Sequence, residues 1–428
     1  MIDLHLLRSE PDRVRSLLAR RGAAERVDEL IGLEGRRREL LPEIEAGRAR
    51  RNAASDEIAA AKRAGESAEE QIAEMRELSG RIKSAEAELT EVEAARDRVA
   101  LALPNLPDPE APDGETEDDA VELRRVGEPP EFSFEPRDHL EIGTALGLID
   151  METAARVSGT RFAYLKGDLV RCELALAQWA LAEVSAEGFE PVIPPVLVRE
   201  EALVGTGFLP GDRDQIYELP EDQLFLAGTS EVPLAGLHGD EIIEPGGLPR
   251  RYAGFSSCFR REAGAAGRDT RGIFRVHQFE KVEMFAFVEP GDSAAEHERL
   301  LAIEERLLAA LEIPYRVVDV AVGDLGAPAA RKFDCEAWIP SQGRYRELTS
   351  CSNTTDYQAR RLDCRYRPAS GESPVHVHTL NGTAVAVGRT LIALIENRQE
   401  EDGGFTLPDC LRAYGAPERV GGERGAME

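Results

Sequence analysis

Residues 27–99 constrain the fold of this 428-residue chain more than any other stretch, because they consist almost entirely of helix-forming residues. From Met75 to Val99, apolar residues recur at alternating spacings of three and four, as in the seam of a coiled coil. A looser seam covers the first half, and the segment 62–68 between the two halves is suited to a chain reversal. Each seam is too weakly apolar to stand alone. We therefore predict an antiparallel helical hairpin whose arms bury each other.

The first arm of this hairpin carries clustered arginines in a chain that is otherwise acidic, with a formal net charge of -28. An acidic average argues against a nucleic-acid partner, yet a local basic stripe can still bind RNA. A solvated helix face is the alternative interpretation. Pro42 removes a helical hydrogen bond in the same arm and predicts a kink. The candidates for RNA contact are Arg36, Arg37, Arg38, Arg48, Arg50 and Arg51.

The six cysteines form no CxxC pair and show no zinc-finger spacing with histidine, so we expect reduced thiols and no zinc. The N-terminus lacks the basic and apolar regions of a signal peptide. No apolar run approaches the length of a membrane span. These features predict a cytoplasmic protein without a membrane partner.

A Pro-rich linker that begins at Leu103 divides the chain. We predict an N-terminal hairpin domain over 1–103, an acidic connection over 104–136 and a second domain over 137–428. Helices are expected at 3–20, 138–154, 168–187, 292–311 and 388–399. Strand-like runs occur near 191–198, 223–227, 251–259, 273–288, 315–320, 333–339, 345–350 and 384–387. Many strands with hairpin connections predict an α+β domain with a mostly antiparallel sheet flanked by helices.

The segment from Phe259 to Glu283 carries the strongest chemical signal in the second domain. An Arg-Arg-Glu triplet follows an apolar strand, and a Gly-rich loop with Arg268 and Arg271 leads into a second strand. Guanidiniums on a loop can clamp polyphosphate. The flat ring of Phe279 can hold a purine, and the Glu283 carboxylate can hold the ammonium or hydroxyl of an amino acid. A surface ion-pair cluster on a β-hairpin is the alternative.

This segment resembles motif 2 of the class II aminoacyl-tRNA synthetases, and its sequence is closest to that of the seryl enzymes. Residues 188–199 resemble motif 1, and residues 380–396 resemble motif 3. The seryl-like stretches 323–326 and 358–361 extend the resemblance over nearly the whole chain. The class I signatures HIGH and KMSKS are absent from the sequence, as are the GxGxxG and GxxxxGK[ST] nucleotide motifs.

The resemblance implies that the chain activates L-serine with ATP, with Mg²⁺ as the accompanying ion, and transfers the seryl group to tRNA(Ser). Transfer to tRNA(Sec) is a further possibility that it leaves open. It also implies a homodimer that meets at motif 1 and a hairpin that grips tRNA. A paralogue that loads another carrier would often lack the hairpin. A catalytically dead RNA-binding relative would have lost Arg260, Glu347 or Arg389, and all three are present.

By the same resemblance, Arg260 and Arg389 are the catalytic residues, and Glu347 and Ser350 are the metal ligands. Glu283 and Thr383 would hold the serine hydroxyl. The full serine set is Thr229, Ser230, Glu231, Arg260, Glu283 and Thr383. The ATP set is Arg260, Arg261, Glu262, Arg268, Arg271, Val276, Phe279, Glu347, Leu348, Thr349, Ser350 and Arg389. The alternatives are a helix cap for the triplet at 229–231 and a plain ion pair of Glu283 with Lys281 or an arginine.

Overall fold

The computed structural model describes residues 1–263, 269, 271–369 and 371–421. It divides into two compact units: residues 2–104, and Met1 together with the residues from Asn105 onward. The helices are α1 Leu4–Ser9, α2 Pro11–Ala19, α3 Ala24–Ala64, α4 Glu69–Ala102, α5 His139–Ala145, α6 Met151–Ser158, α7 Asp168–Ala186, α8 Glu200–Thr206, α9 Glu231–Ala235, α10 Ser293–Ala310, α11 Tyr357–Leu362 and α12 Val387–Asn397.

The strands begin with the acidic connection and end close to the C-terminus. They are β1 Val121–Val126, β2 Ile149–Asp150, β3 Tyr164–Leu165, β4 Glu190–Val192, β5 Leu197–Val198, β6 Tyr217–Leu219, β7 Leu224–Leu226, β8 Ile242–Ile243, β9 Arg250–Phe259, β10 Gln278–Val288, β11 Tyr315–Asp319, β12 Arg331–Ile339, β13 Arg344–Thr355, β14 Arg365–Tyr366, β15 Val375–His376, β16 His378–Ala386, β17 Phe405–Thr406 and β18 Arg419–Val420.

The N-terminal unit is built around the predicted hairpin of α3 and α4. Gly65, with φ +77°, ends α3 in the left-handed conformation that glycine adopts without steric cost. Leu40, Ile44 and Ala85 pack together between the arms. Helix α3 runs on through Pro42. The prediction of an antiparallel helical hairpin is confirmed.

The expected single helix over 3–20 is wrong in one respect, because α1 ends at Ser9 and α2 begins at Pro11. Proline has no N–H to continue the first helix, but it is well suited to the first position of the next.

The second unit is organised on an eight-stranded sheet with the strand order β1-β11-β12-β13-β16-β10-β9-β4. Neighbouring strands are antiparallel except β4 and β9, which run parallel. Helices α7, α10 and α12 pack on one face and bury the main core there. The prediction of an α+β fold with a mostly antiparallel sheet and flanking helices is confirmed. None of the described helices is long and apolar enough to cross a membrane.

Three expectations differ from the structure in detail. The predicted helix over 138–154 is two helices, because Gly147 turns left-handed with φ +69° and Asp150 then caps α6 by accepting from the Thr153 N–H. The apolar run at 191–198 divides into β4 and β5, which lie in different sheets on either side of a Pro-Pro pair. The stretch 104–136, expected only to connect, contributes the edge strand β1.

Candidate active site

A cavity of about 360 Å³ opens on the face of the sheet opposite the main core. Side chains alternate along β10, so Phe279, Lys281 and Glu283 share this face while Val282 and Met284 enter the core. The predicted residues that line the cavity are Thr229, Glu231, Arg260, Glu262, Val276, Phe279, Glu283, Glu347, Leu348, Ser350, Thr383 and Arg389. The fold therefore brings predicted serine, ATP and metal residues together around one cavity.

One end of the cavity is a buried polar cluster around Glu283. Glu283 lies directly opposite Thr383 in the pairing of β10 with β16, and the Thr383 hydroxyl is 3.3 Å from Glu283 Oε2. The Lys281 ammonium contacts the same Oε2 at 2.5 Å and donates to Thr229 Oγ1 at 2.7 Å. Glu231 Oε1 accepts from the side-chain amide of Gln358 at 2.7 Å. This cluster can recognise a small polar substrate.

Two carboxyl groups in this cluster have raised pKa values. Burial, joined by repulsion from Glu283, raises the pKa of Glu231 to about 7. Burial also raises the pKa of Glu283, while the Lys281 ammonium acts in the opposite direction. Each carboxylate therefore gains from a cation placed beside it, and an amino acid brings one as its ammonium.

A second part of the cavity lining combines Arg260 with the aromatic ring of Phe279. The Arg260 guanidinium lies 5.3 Å above the Phe279 ring centroid, and its Nε donates to the Gly228 carbonyl at 3.2 Å. The Arg275 guanidinium donates to Glu262 Oε2 at 2.6 Å. A flat ring beside two guanidiniums and a carboxylate can hold a base and its phosphates.

Glu347 and Arg389 form an ion pair in the cavity wall. Arg389 Nη1 donates to the Glu347 carbonyl at 3.0 Å and lies 3.4 Å from Glu347 Oε1. Burial acts to raise the pKa of Glu347, but Arg389 and Lys332 outweigh it and hold the pKa at about 2. Its side chain is 46 % exposed, so the carboxylate is only partly desolvated and the neighbouring cations need to offset only part of the full burial cost. Glu347 is thus a permanent anion in the cavity wall.

A β-bulge brings Glu347 and Ser350 to the same face of β13. Residues three apart on a regular strand point to opposite faces. The pairing with β12 shifts by one residue, since Cys335 faces Thr349 but Glu336 faces Glu347, leaving Leu348 as the extra residue. The bulge re-aims Glu347 into the cavity, as bulges near functional sites commonly do.

Several predicted residues do not contribute side chains to this cavity. The Thr349 hydroxyl points away and donates to the buried Glu304 at 2.8 Å. Ser230 hydrogen-bonds Ser256 at 2.7 Å, and the exposed Arg261 lies above the Tyr217 ring. Arg271 pairs with Asp138 and Glu141 at the start of α5. Arg268 lies outside the described residues.

Sequence reasoning missed other residues of the cavity, including Arg275, Phe274 and Lys332. The Phe274 ring lies against two guanidiniums, 4.1 Å from that of Arg346 and 4.7 Å from that of Arg389. Strand alternation could have identified Lys281 as a wall residue, since it lies midway between Phe279 and Glu283. Loop residues such as Phe274 carry no comparable periodic signal.

The cavity offers few protein ligands for a metal. Within the described ranges, no cluster of three or more His, Cys, Asp and Glu side chains could hold an ion. Glu347 and Ser350 supply hard oxygen donors on one wall. This donor set fits Mg²⁺, which is commonly bound through one or two carboxylates with substrate phosphates and water completing its shell.

The predicted tRNA-binding arginines of α3 are largely occupied by carboxylates of the hairpin. Four ion pairs reach α4: Arg36 with Glu88 at 2.6 Å, Arg37 with Glu93 at 2.9 Å, Arg48 with Glu86 at 2.7 Å and Arg50 with Glu74 at 3.7 Å. Among the residues that the structure describes, Arg38 and Arg51 have no carboxylate oxygen within 4 Å. These arginines therefore join the two arms as well as adding positive charge.

Comparison with known proteins places this architecture in context. The family profile "Seryl-tRNA synthetase N-terminal domain" matches residues 1–107, and the profile "tRNA synthetase class II core domain (G, H, P, S and T)" matches residues 216–398. The chain is 52 % identical over 415 residues to the serine–tRNA ligase of Acidothermus cellulolyticus, covering 97 % of this chain and 98 % of that protein.

Two solved structures share the fold over almost the whole chain. The seryl-tRNA synthetase of Pyrococcus horikoshii, complexed with ATP, matches with a TM-score of 0.93 and 41 % identity, covering 98 % of this chain and 99 % of the other. The cytoplasmic serine–tRNA ligase of Naegleria fowleri, in complex with AMP, matches with a TM-score of 0.87 and 33 % identity over 99 % of both chains.

Proposed function

Because this chain belongs to the seryl-tRNA synthetase family of class II, we propose how its cavity residues divide the work of serine ligation. The protein is an ATP-dependent serine–tRNA ligase. It activates L-serine as seryl-adenylate with release of pyrophosphate, and it transfers the seryl group to tRNA. The relatedness along the full length, together with the cavity, carries this conclusion.

In our proposal, the buried cluster is the serine subsite. Glu283 and Thr383 receive the serine hydroxyl, since they face each other across two strands and are both buried. Glu231 pairs with the ammonium, because a carboxyl with a pKa of about 7 is stabilised in its charged form by an added cation. Thr229 and Ser230 shape the same end of the cavity, Thr229 through its side chain and Ser230 by fixing the turn.

The arginines are proposed to hold the reacting groups in line. Arg260 neutralises the serine carboxylate and the α-phosphate of ATP, and Arg389 faces the γ-phosphate. An oxygen of the serine carboxylate attacks the α-phosphorus, and the bond to the β-phosphate oxygen breaks as pyrophosphate leaves. Such a step requires mainly positioning and charge stabilisation. We assign no general base.

The adenosine part of ATP is proposed to lie on Phe279, with Glu262 reading the adenine amino group. Val276, Leu348 and the backbone at Thr349 complete the ATP contacts. Arg261, Arg268 and Arg271 remain proposed ATP-binding residues on the strength of the family resemblance alone. Glu347 and Ser350 would hold Mg²⁺, which screens the charge of the phosphates when it is bound.

We further propose that residues 1–103 form the tRNA-binding domain and that residues 137–428, joined to them through 104–136, form the catalytic domain. In the second reaction, a terminal ribose hydroxyl of tRNA(Ser) attacks the seryl carbonyl and AMP leaves. Arg36, Arg37, Arg38, Arg48, Arg50 and Arg51 are the proposed phosphate contacts. Charging of tRNA(Sec) remains part of the proposal and is tested with the same assay.

A homodimer in the cytoplasm completes the proposal. Motif 1 contains Ile193, which is 84 % exposed and directly follows β4, the edge strand of the large sheet. Leu174 on α7 is also exposed. Exposed apolar residues on a sheet edge favour a self-complementary, two-fold contact. A fully active monomer in sedimentation at micromolar concentration would refute this assembly.

The experiment that tests the function is ATP–pyrophosphate exchange with each of the twenty amino acids, followed by charging of total tRNA. We expect exchange with serine alone and serine-specific charging. Exchange with serine but no charging of any tRNA would favour a paralogue that loads another carrier. Exchange with a different amino acid would refute the proposal.

A further inference from the structure

Lys281 is a buried lysine at the centre of the proposed serine subsite. Its side chain is only 8 % exposed and lies on β10 between Phe279 and Glu283. Its ammonium joins Glu283 Oε2 at 2.5 Å to Thr229 Oγ1 at 2.7 Å. It therefore connects a residue assigned to the substrate hydroxyl with a residue beside the substrate ammonium.

The hydrogen bonds made by Lys281 determine what its two partners can still offer. Thr229 Oγ1 accepts from Lys281 Nζ and also from the Glu231 N–H at 3.2 Å. A hydroxyl oxygen has two acceptor sites and one hydrogen, so Thr229 is left as a donor. The contacts of Glu283 with Lys281 and Thr383 both end on Oε2. Oε1 is therefore the oxygen left to accept a further hydrogen bond.

Lys281 also balances charge in a closed space. Glu231 and Glu283 are both buried in the cluster, and Lys281 and Arg260 are the cations that act on both carboxyl groups. Serine enters as a zwitterion with no net charge. A subsite with two carboxylates and two cations can receive it without a surplus charge, whereas loss of Lys281 would leave a buried carboxylate without its partner.

We propose that Lys281 is a positioning and specificity-determining residue for serine. It fixes the Glu283 carboxylate and the Thr229 hydroxyl, so that Glu283 offers Oε1 to the hydroxyl of the substrate. The inference rests on the proposed serine subsite and deepens it. Alanine has no hydroxyl to meet Oε1, so the effect of Lys281 is larger for serine than for alanine.

The test uses Lys281→Met, which removes the ammonium and keeps most of the stem, and Lys281→Ala, which leaves room for an added amine. Lys166→Met is the matched control, because Lys166 forms an exposed ion pair with Asp150 at 3.2 Å. The full-length proteins are compared by ATP–pyrophosphate exchange with serine and with alanine, and by thermal unfolding.

For Lys281→Met we expect kcat/KM for serine to fall roughly 10- to 100-fold, with a smaller fall for alanine, so that the serine-to-alanine ratio narrows. Ethylammonium should partly restore serine exchange by Lys281→Ala, but not by Glu283→Ala. Lys166→Met should match the parent.

An unchanged ratio in Lys281→Met would overturn the inference. Equal losses for both amino acids leave the ratio unchanged and describe a lysine that only supports the fold. A folded Lys281→Ala protein that ethylammonium does not rescue would also contradict the inference. If Lys281→Ala does not fold, the ratio measured for Lys281→Met decides alone. Failure of the parent protein to activate serine would instead refute the proposed function.

Discussion

At the scale of single residues, Glu283 and Thr383 define a subsite that suits a substrate hydroxyl. A buried group that loses its hydrogen-bonding partner costs roughly 1–3 kcal/mol, and sites built around a hydroxyl can reject analogues without it by about 10⁴-fold. The geometry therefore predicts selection of serine over alanine by polar groups. Threonine retains the hydroxyl, so only the space available to its methyl group can exclude it.

Replacement of Glu283 by alanine should lower kcat/KM for serine exchange by about 100-fold and narrow the serine-to-alanine ratio. The physical reason is that the serine hydroxyl loses its buried acceptor, whereas alanine loses nothing equivalent. Glu280→Gln is the matched control, because Glu280 lies on the same strand and hydrogen-bonds Ser257 instead of lining the cavity. A parental ratio in Glu283→Ala would remove Glu283 from the subsite.

Glu231 should make serine binding depend on pH. With burial raising the pKa of Glu231 to about 7, the carboxyl is mostly protonated at pH 6 and mostly ionised at pH 8. The substrate ammonium prefers the ionised form, so KM for serine should fall by up to about tenfold over this interval. Glu231→Gln should abolish the trend, and an unaltered trend in that variant would assign it to another group.

The raised pKa of Glu231 also determines how the stability of the folded protein changes with pH. The pKa of Glu231 is raised in the folded protein, so its contribution to the free energy of unfolding is complete below its unfolded value of about 4.3. That contribution is lost as pH rises through about 7. In the proposed complex, bound serine would offset the loss by stabilising the Glu231 carboxylate.

The family resemblance named twelve residues that line the cavity, and their individual roles stay predictions. Lys281 entered only as a possible ion-pair partner of Glu283, and the ion pair is present. The inference above gives that pair a role in recognition. The inward direction of Glu347 could not be predicted, since it depends on the bulge at Leu348 and not on strand alternation. Arg275 and Phe274 line the cavity from a loop, and the loop sequence has no repeating pattern that would identify them.

At the scale of elements, the hairpin of α3 and α4 is held at its base by an ionic centre. Glu34 on α3 is buried, with Arg8 on α1 at 3.0 Å, Arg37 on α3 at 3.8 Å and Arg96 on α4 at 3.7 Å. The apolar seam is short, with Leu40, Ile44 and Ala85 at its centre. Charge therefore supplements apolar packing in joining the helices.

Glu34→Ala should loosen this part of the arm. Its removal leaves three arginines without their shared carboxylate, which we expect to cost about 1–3 kcal/mol. Amide hydrogen exchange in α3 and α4 of the full-length protein should accelerate by roughly 10- to 100-fold. Glu39→Ala, which breaks an exposed pair with Arg36, should change exchange little. Equal exchange in both variants would contradict a structural role for Glu34.

Helix boundaries could be predicted where the apolar periodicity extends over many residues. The prediction failed where one or two residues end a helix. The two helices of the hairpin were predicted from the spacing of their apolar residues. The break between α5 and α6 depends on Gly147 and Asp150, which a continuous apolar pattern conceals. Strand β1 is exposed at every position, so it has no buried face to reveal it, and backbone pairing with β11 alone identifies it.

At the scale of the whole molecule, the proposed division of labour predicts that the arm can be removed without loss of chemistry. The Arg26 guanidinium lies 3.3 Å from the Ala102 carbonyl, so the hairpin begins and ends at neighbouring points. Deletion of residues 27–100 with a short Gly-Ser bridge should preserve serine-dependent pyrophosphate exchange within a few-fold. It should lower the charging of tRNA by about 100-fold or more, since several phosphate contacts disappear.

Exchange and charging are measured on the same preparation of the shortened chain. Arg38→Ala combined with Arg51→Ala is the matched variant. It keeps the arm and removes the two guanidiniums that form no ion pair with a carboxylate in the described part of the chain. It should weaken charging and leave exchange unchanged. Comparable losses of exchange and charging in the deletion variant would contradict a separate role for the arm.

In the proposed complex with tRNA, the ion pairs between the arms determine which partners the arginines must give up. A phosphate that takes Arg36, Arg37, Arg48 or Arg50 must displace a glutamate, and the freed carboxylate then attracts a cation from solution. In that complex, the protein would take up some of the cations that the RNA releases. The two arginines that have no carboxylate partner among the described residues predict a slope of log affinity against log salt of about -1.4 to -1.8, where six would give about -4.2 to -5.4. Filter binding between 50 and 200 mM salt distinguishes the two values. A shallow slope would mean that the RNA affinity of this acidic protein falls little as the salt concentration rises. A surface whose arginines have no carboxylate partners would lose much more affinity over the same range.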